Sequence, residues 1–157
     1  GTAGGVDPKV DLFDIIVSTE VAHWDVNEGI LTEFHPWMDS IYFKADSKLI
    51  DYSKRVVDSK FSSKVYFGRM ITGESFIKEE FREMIKLKYC PLSIDMETAS
   101  IAHACYVNKI PYIAIRSITD TARHSGADAF DLNCDKASNI AASFVVELLK
   151  EIAKELK

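Results

Sequence analysis

The sequence predicts an α/β fold with a mixed or parallel sheet whose ligand site lies at the strand ends. Short apolar runs rich in β-branched residues alternate with longer stretches whose apolar residues recur at helical spacing. Three polar clusters stand where strands are expected to end, which is where α/β sheets place their ligands. At 157 residues and 47% hydrophobic content the chain suits one domain with a real core.

The elements follow in order. Leu12 to Val17 reads as a buried strand and Ser40 to Phe43 as a second, shorter one. Asp46 to Lys60 carries Leu49, Ile50, Val56 and Val57 among charges, the pattern of a solvated amphipathic helix. Val65 to Ile71 is a strand ended by the Thr72-Gly73 turn, and Ser75 to Leu87 returns to helical spacing through Phe76, Ile77, Phe81, Met84 and Ile85.

Pro91 introduces a short strand, Leu92 to Ile94, which leads to Asp95 and Glu97. Thr98 to Val107 is nearly all small or apolar, so this helix should lie against the core until Asn108 and Pro111 stop it. Pro111 to Ile118 is a further buried strand, Thr121 to Ala129 a polar loop, and about Asn133 to Lys157 a last helix with Ile140, Phe144, Val145, Leu148, Leu149 and Ile152 on one stripe.

Composition removes several function classes. The net charge of −5 comes from interspersed acids and bases, so no basic stripe marks a nucleic-acid partner. No apolar run approaches the roughly 20 residues of a membrane span, and no signal-like segment occurs, so a cytoplasmic protein is expected. Cys90, Cys105 and Cys134 include no CxxC pair, which reads as ordinary thiols rather than a disulfide framework or zinc site. His23, His35, His103 and His124 show no pair at metal-ligand spacing, and no GxSxG turn offers a serine nucleophile, so no metal is expected.

The three clusters are Thr72-Gly73-Glu74-Ser75-Phe76-Ile77, Asp95-Met96-Glu97 and Thr119-Asp120. Any of their acids taken alone could simply cap a helix or turn. Together they close successive strands, so their carboxylates could converge on one pocket beside the aromatic Phe76. Carboxylates accept hydrogen bonds from ribose hydroxyls, an aromatic ring stacks on a base, and a partly buried carboxylic acid can protonate a leaving group.

Four runs in this order, the small-residue loop Gly1-Thr2-Ala3-Gly4-Gly5, Thr72 to Ile77, Ile94-Asp95-Met96-Glu97-Thr98-Ala99 and Ile115-Arg116-Ser117-Ile118-Thr119-Asp120, resemble the nucleoside phosphorylase superfamily. They are most similar to the GSAGG, SGDxFI, VEMEAA and RAISD runs of the 5'-methylthioadenosine/S-adenosylhomocysteine nucleosidases. The resemblance spans the chain and implies a three-layer α/β/α fold with a mixed central sheet, cofactor-free hydrolysis of the N-glycosidic bond of adenine nucleosides, and a homodimer.

It also implies roles for single positions. Asp120 would protonate purine N7, for which it needs a raised pKa or a shared proton. Glu97 would hold the 2' and 3' hydroxyls, Met96 would pack on the ribose, and Thr119 belongs to the same binding motif as Asp120. Phe76 would stack on the base while the Ile77 backbone reads its edge. Ala3 and Gly4 would form the floor near the sugar, and Phe130 would shield the 5' group.

Some positions depart from the pattern. Glu74 replaces an Asp, Arg123 stands where the nucleosidases usually have Asp, and Trp24 replaces the His of an HDVD-like run. Glu28 to Trp37 is shorter than its counterpart, which in relatives helps to line the partner subunit's 5' pocket. The family's water-activating glutamate and the phosphate-binding Gly and Arg of its phosphorylases lie N-terminal to the Gly1 motif. A single domain lacking an N-terminal segment is therefore expected. The rival readings are a phosphorylase using inorganic phosphate and a non-catalytic nucleoside-binding relative.

Overall fold

A computed structural model describes residues 1–58, 61–75, 77, 79–123 and 127–155. The elements are β1 (Thr2–Gly5), β2 (Ile15–His23), α1 (Glu28–Phe34), β3 (Phe43–Lys44), α2 (Ser47–Asp58), β4 (Val65–Thr72), α3 (Glu79–Tyr89), β5 (Ser93–Asp95), α4 (Thr98–Val107), β6 (Ile115–Asp120) and α5 (Ala127–Lys154). The six strands form one mixed sheet in the order β3-β2-β4-β5-β1-β6. β6 also pairs antiparallel with the start of β2, Ile15 opposite Ser117 and Val17 opposite Ile115, so five of the strands close on themselves.

Strand alternation divides the core between the two faces. Ile15 and Val17 of β2 pack with Val56 of α2 and Phe144 and Leu148 of α5, whereas Ile16 packs with Ala99 and Ala102 of α4, Leu31 of α1 and Met70 of β4. Helices thus cover both faces, as the α/β reading expects. Ile71 and Ala22 form a third cluster with Ile85 and Tyr89 of α3.

A bulge at Thr19 shifts this alternation, because Ser18 lies opposite Gly68 but Glu20 opposite Arg69. The extra residue is why Ile16 and Val21, five apart, reach the same core cluster. Fully buried Ser18 ends the β2–β6 ladder: its N–H donates to the Ala114 carbonyl at 2.9 Å and its Oγ accepts from the Ala114 N–H at 2.9 Å.

Several expected boundaries move for physical reasons. Residues 111–114 are not ladder strand, because Ala114 is satisfied by Ser18 and the Tyr112 carbonyl by the Asp46 N–H. Leu12 and Phe13 form a turn in which Phe13 has φ 67° and Asp14 accepts from the Asp11 N–H, so β2 starts at Ile15. The Gly1 to Gly5 run, expected as a loop, is instead strand β1 between β5 and β6. α5 begins at Ala127 rather than about Asn133, so Phe130 lies on this helix.

α1 falls in a stretch without an assigned element, and Asn27 caps it by accepting from the Gly29 N–H at 3.0 Å. Replacing Ser18 with Ala leaves the partly buried Ala114 N–H without its acceptor. The expected loss is about 1–3 kcal/mol of unfolding free energy, measured by urea denaturation.

Candidate active site

β1 brings the clusters together. Gly4 lies opposite Ile94 of β5 on one side and opposite Asp120 of β6 on the other, so two strand spacings of about 4.8 Å separate the acid from the Ile94–Asp95 motif. β5 runs parallel to β4, with Thr72 opposite Asp95, but antiparallel to β1, and β6 runs parallel to β1. The clusters therefore converge through the register of β1. Aligned strand ends alone would bring together only Thr72 and Asp95.

A second bulge aims the acid. Ala3 lies opposite Ile118 and Gly4 opposite Asp120, leaving Thr119 as the extra residue, and such an insertion turns the following side chain to the other face. Asp120 consequently stands over Gly4, where an added Cβ would sit 2.9 Å from its Oδ2. Glycine leaves room for the carboxylate at this distance, which any larger residue would push aside. Replacing Gly4 with Ala should displace the carboxylate and lower kcat about 10²-fold with little change in stability, measured by steady-state kinetics beside thermal melts.

Asp120 is buried, and its surroundings fit a proton donor. Desolvation raises its carboxyl above the ordinary value, opposed by the Thr119 hydrogen bond and by the charge of Arg82. The buried Thr119 hydroxyl lies 2.9 Å from Asp120 Oδ1 and 3.3 Å from the Ala3 carbonyl. It can donate to the carboxylate, or donate to Ala3 and accept from the carboxylic acid, so it serves both protonation states. Asn133 of α5 donates to the Thr119 carbonyl at 2.9 Å and ties the helix to this strand end.

Asp95 has a different role from the acids around it. Its side chain is 2% exposed and accepts from the Thr72 hydroxyl at 2.7 Å, the Glu97 N–H at 3.2 Å, the Thr98 N–H at 3.0 Å and the Thr98 hydroxyl. Arg116 Nε closes the cluster at 3.1 Å. Every lone pair of this carboxylate faces a donor of the protein, so it organises the start of α4 and leaves ligand contact to its neighbours.

Glu97 is one of those neighbours. Its side chain is 60% exposed and lies 3.4 Å from Arg116 Nη2, so a partly buried guanidinium holds an acid that is still open to solvent. Met96 beside it is partly exposed, an apolar surface next to a hydrogen-bonding one. Ala3 is buried and Gly4 half-buried in the strand between Asp120 and this pair.

The other expected residues surround this centre. Ile77 is half-buried and packs against the cluster of Ala22, Ile71, Ile85 and Tyr89. Phe130 is half-buried on α5, one turn before Asn133. Phe76 and His124 lie outside the described residues. Trp24 lies across the turn after β4, so close that a Cβ on Gly73 would fall 1.9 Å from its Nε1, and its ring is 5.9 Å from that of Phe81.

Thr72, Arg116 and Asn133 were not assigned as site residues from the sequence. Arg116 carries the one available signal, a lone cation four residues before the acid. The structure also joins a pair that spacing does not suggest: His35 and His103 meet through Nε2 atoms 2.9 Å apart. Among the described residues no three His, Cys, Asp or Glu side chains form a metal-binding group. The three cysteines are free thiols, and no helix among the described residues is long and apolar enough to cross a membrane.

This arrangement of an acid over glycine, beside a carboxylate held by arginine, coincides with a family match. The model of the phosphorylase superfamily matches residues 1–150. The chain belongs to the phosphorylase superfamily. Among its relatives, the 5'-methylthioadenosine/S-adenosylhomocysteine nucleosidase of Bacillus cytotoxicus is 30% identical over 156 residues, covering 97% of this chain and 68% of the relative.

Solved superfamily structures agree. One described as a 5'-methylthioadenosine/S-adenosylhomocysteine nucleosidase from Borrelia burgdorferi, bound to adenine, superposes with a TM-score of 0.85 at 31% identity, covering 96% of this chain and 67% of that one. The corresponding nucleosidase from Neisseria meningitidis, in complex with methylthio-immucillin-A, gives 0.83 at 27% identity, covering 96% and 67%. The chain thus spans about two thirds of the length of these superfamily members.

Proposed function

We propose that this protein hydrolyses the N-glycosidic bond of adenine nucleosides such as 5'-methylthioadenosine and S-adenosylhomocysteine, releasing adenine, with Asp120 as the leaving-group acid. The observation that carries the reading is the buried Asp120 carboxyl, raised in pKa and aimed over Gly4 by the Thr119 bulge, in a chain whose relatives are nucleosidases.

In this reaction the bond between ribose C1' and purine N9 breaks with its electron pair passing to the base. Asp120 gives its proton to N7, so adenine leaves neutral rather than as an anion. Glu97 accepts hydrogen bonds from the 2' and 3' hydroxyls, contacts that strengthen as positive charge grows on the sugar. Water adds its hydroxide to C1', and its proton passes to a base that the family places N-terminal to the Gly1 motif.

Ala3 and Gly4 form the floor beneath the sugar, Met96 packs on the ribose, and Thr119 steadies the acid. Phe76 stacks on the base, the Ile77 backbone reads its edge, and Phe130 covers the 5' group. No cofactor enters these steps. The protein acts in the cytoplasm as a homodimer, in methionine salvage and purine metabolism, without nucleic acid or membrane as a partner.

Phosphate dependence tests the reading against phosphorolysis. Incubated with 5'-methylthioadenosine, the intact protein should release adenine and a free sugar at a rate that added phosphate does not raise. Adenine release that requires phosphate and yields a sugar 1-phosphate would replace hydrolysis with phosphorolysis. Tight binding with no base release under either condition would mark a non-catalytic relative.

A further inference from the structure

A cavity of about 170 Å³ opens past the ends of β1 and β6, lined by Gly5 to Pro8 and Val10, by Arg82, Glu83 and Lys86 of α3, and by Thr121 to Arg123. Its walls follow directly on Gly5 and Asp120 in sequence, although neither Asp120 nor the Met96–Glu97 pair lines it. Three cations, Arg82, Lys86 and Arg123, face two acids, Asp7 and Glu83.

The acids are engaged at the rim. Asp7 accepts from the Lys9 N–H at 2.9 Å and lies 3.5 Å from Lys9 Nζ, while Glu83 meets Lys86 at 3.1 Å with a side chain 71% exposed. Arg123 pairs outside the cavity with Asp11 at 3.5 Å, and both of those side chains are more than half exposed. Lys86 and Arg123 thus hold only loose, solvated ion pairs, which contribute little and exchange readily.

The cavity wall also carries a buried polar group. Thr121 is 5% exposed, and its Oγ1 has no hydrogen-bond partner among the described residues. A buried hydroxyl without a partner is costly, and a ligand oxygen would satisfy it. Arg82, 9% exposed, donates to the Gly5 carbonyl at 3.1 Å and so fixes a positive charge in the same wall.

We propose that this cavity is an accessory binding site for a phosphate-class oxyanion. Arg82, Lys86 and Arg123 supply its charge, and the Thr121 hydroxyl supplies a hydrogen bond. Cations and a hydroxyl donor are the groups that recognise phosphate oxygens. An anion there would lie beside the same Arg82 whose charge opposes the retention of the Asp120 proton.

Isothermal titration of inorganic phosphate into the intact protein tests this, with ionic strength held constant by chloride. One saturable site is expected. The double variant Lys86→Ala, Arg123→Ala should weaken it at least tenfold while phosphate-free adenine release stays unchanged, and Thr121→Val should weaken it about threefold.

A phosphate monoester titrated in parallel separates a phosphorylated metabolite from the free ion as the ligand, and either one lost in the double variant supports the site. The proposal fails if no saturable binding occurs, if the double variant binds as tightly as the parent, or if chloride reproduces the signal. It also fails if an adenine nucleoside analogue displaces the phosphate, because the ion then occupies the substrate site and the hydrolytic reading is what falls into question.

Discussion

Asp120→Asn should lower kcat for adenine release by about 10³-fold, within the 10²–10⁴-fold range that a positioned general acid contributes, while nucleoside binding changes little. Asn keeps the size of the side chain and a hydrogen-bonding link to the Thr119 hydroxyl, but has no proton to give N7. Steady-state kinetics beside equilibrium binding of an unreactive analogue separate the two effects.

Stability moves the other way. Burial raises the Asp120 pKa above its unfolded value, so its contribution to stability is present in full below the unfolded pKa and is lost as pH rises through the folded one. Above its folded pKa the carboxylate carries a buried charge that Asn does not, so in that range the variant should be at least as stable as the parent. The gap should narrow as the pH falls into the range where the parent is protonated. Thermal melts across pH check this, and a variant markedly less stable above that pKa would point to a structural role.

Asp95→Ala has the largest expected effect on stability. The substitution strands the Arg116 guanidinium, two threonine hydroxyls and two backbone N–H groups around a site that is 2% exposed. Removing one partner of a buried ion pair typically costs about 3–5 kcal/mol, a large share of the roughly 5–15 kcal/mol that holds a domain together. Urea denaturation should show that loss, and activity should fall with it, because Arg116 no longer holds Glu97 and α4 loses its start. A loss below about 1 kcal/mol would mean that water replaces the carboxylate.

The contrast between Asp95 and Asp120 indicates which parts of the site are legible in sequence. Both acids follow apolar strands and both sit in recognisable motifs, but only tertiary partners separate an acid with every lone pair occupied from one held by a single hydroxyl. The helix Thr98–Val107 was readable from its small, apolar composition and the Asn108 and Pro111 stop, and the strand from Val65 from its apolar run and the Thr72-Gly73 turn that ends it.

The bulges at Thr19 and Thr119 were not readable. One extra residue leaves no periodic signature, yet it decides which way Val21 and Asp120 face. β1 was read as a loop because Thr, Ala and Gly have little collective strand propensity. Pairing on both edges and the need for room under Asp120 make it a strand. The His35–His103 contact joins residues 68 apart, beyond the reach of any spacing argument.

Protonation of the leaving group is the central claim, and a substrate whose leaving group needs no proton tests it most directly. Turnover of Asp120→Asn on 5'-methylthioadenosine can be compared with its turnover on 4-nitrophenyl riboside, whose nitrophenolate departs as a stable anion. The account predicts a loss of about 10³-fold on the adenine nucleoside and a loss below about tenfold on the nitrophenyl riboside. Equal losses on both substrates would contradict it, because Asp120 would then be shaping the site rather than protonating the base.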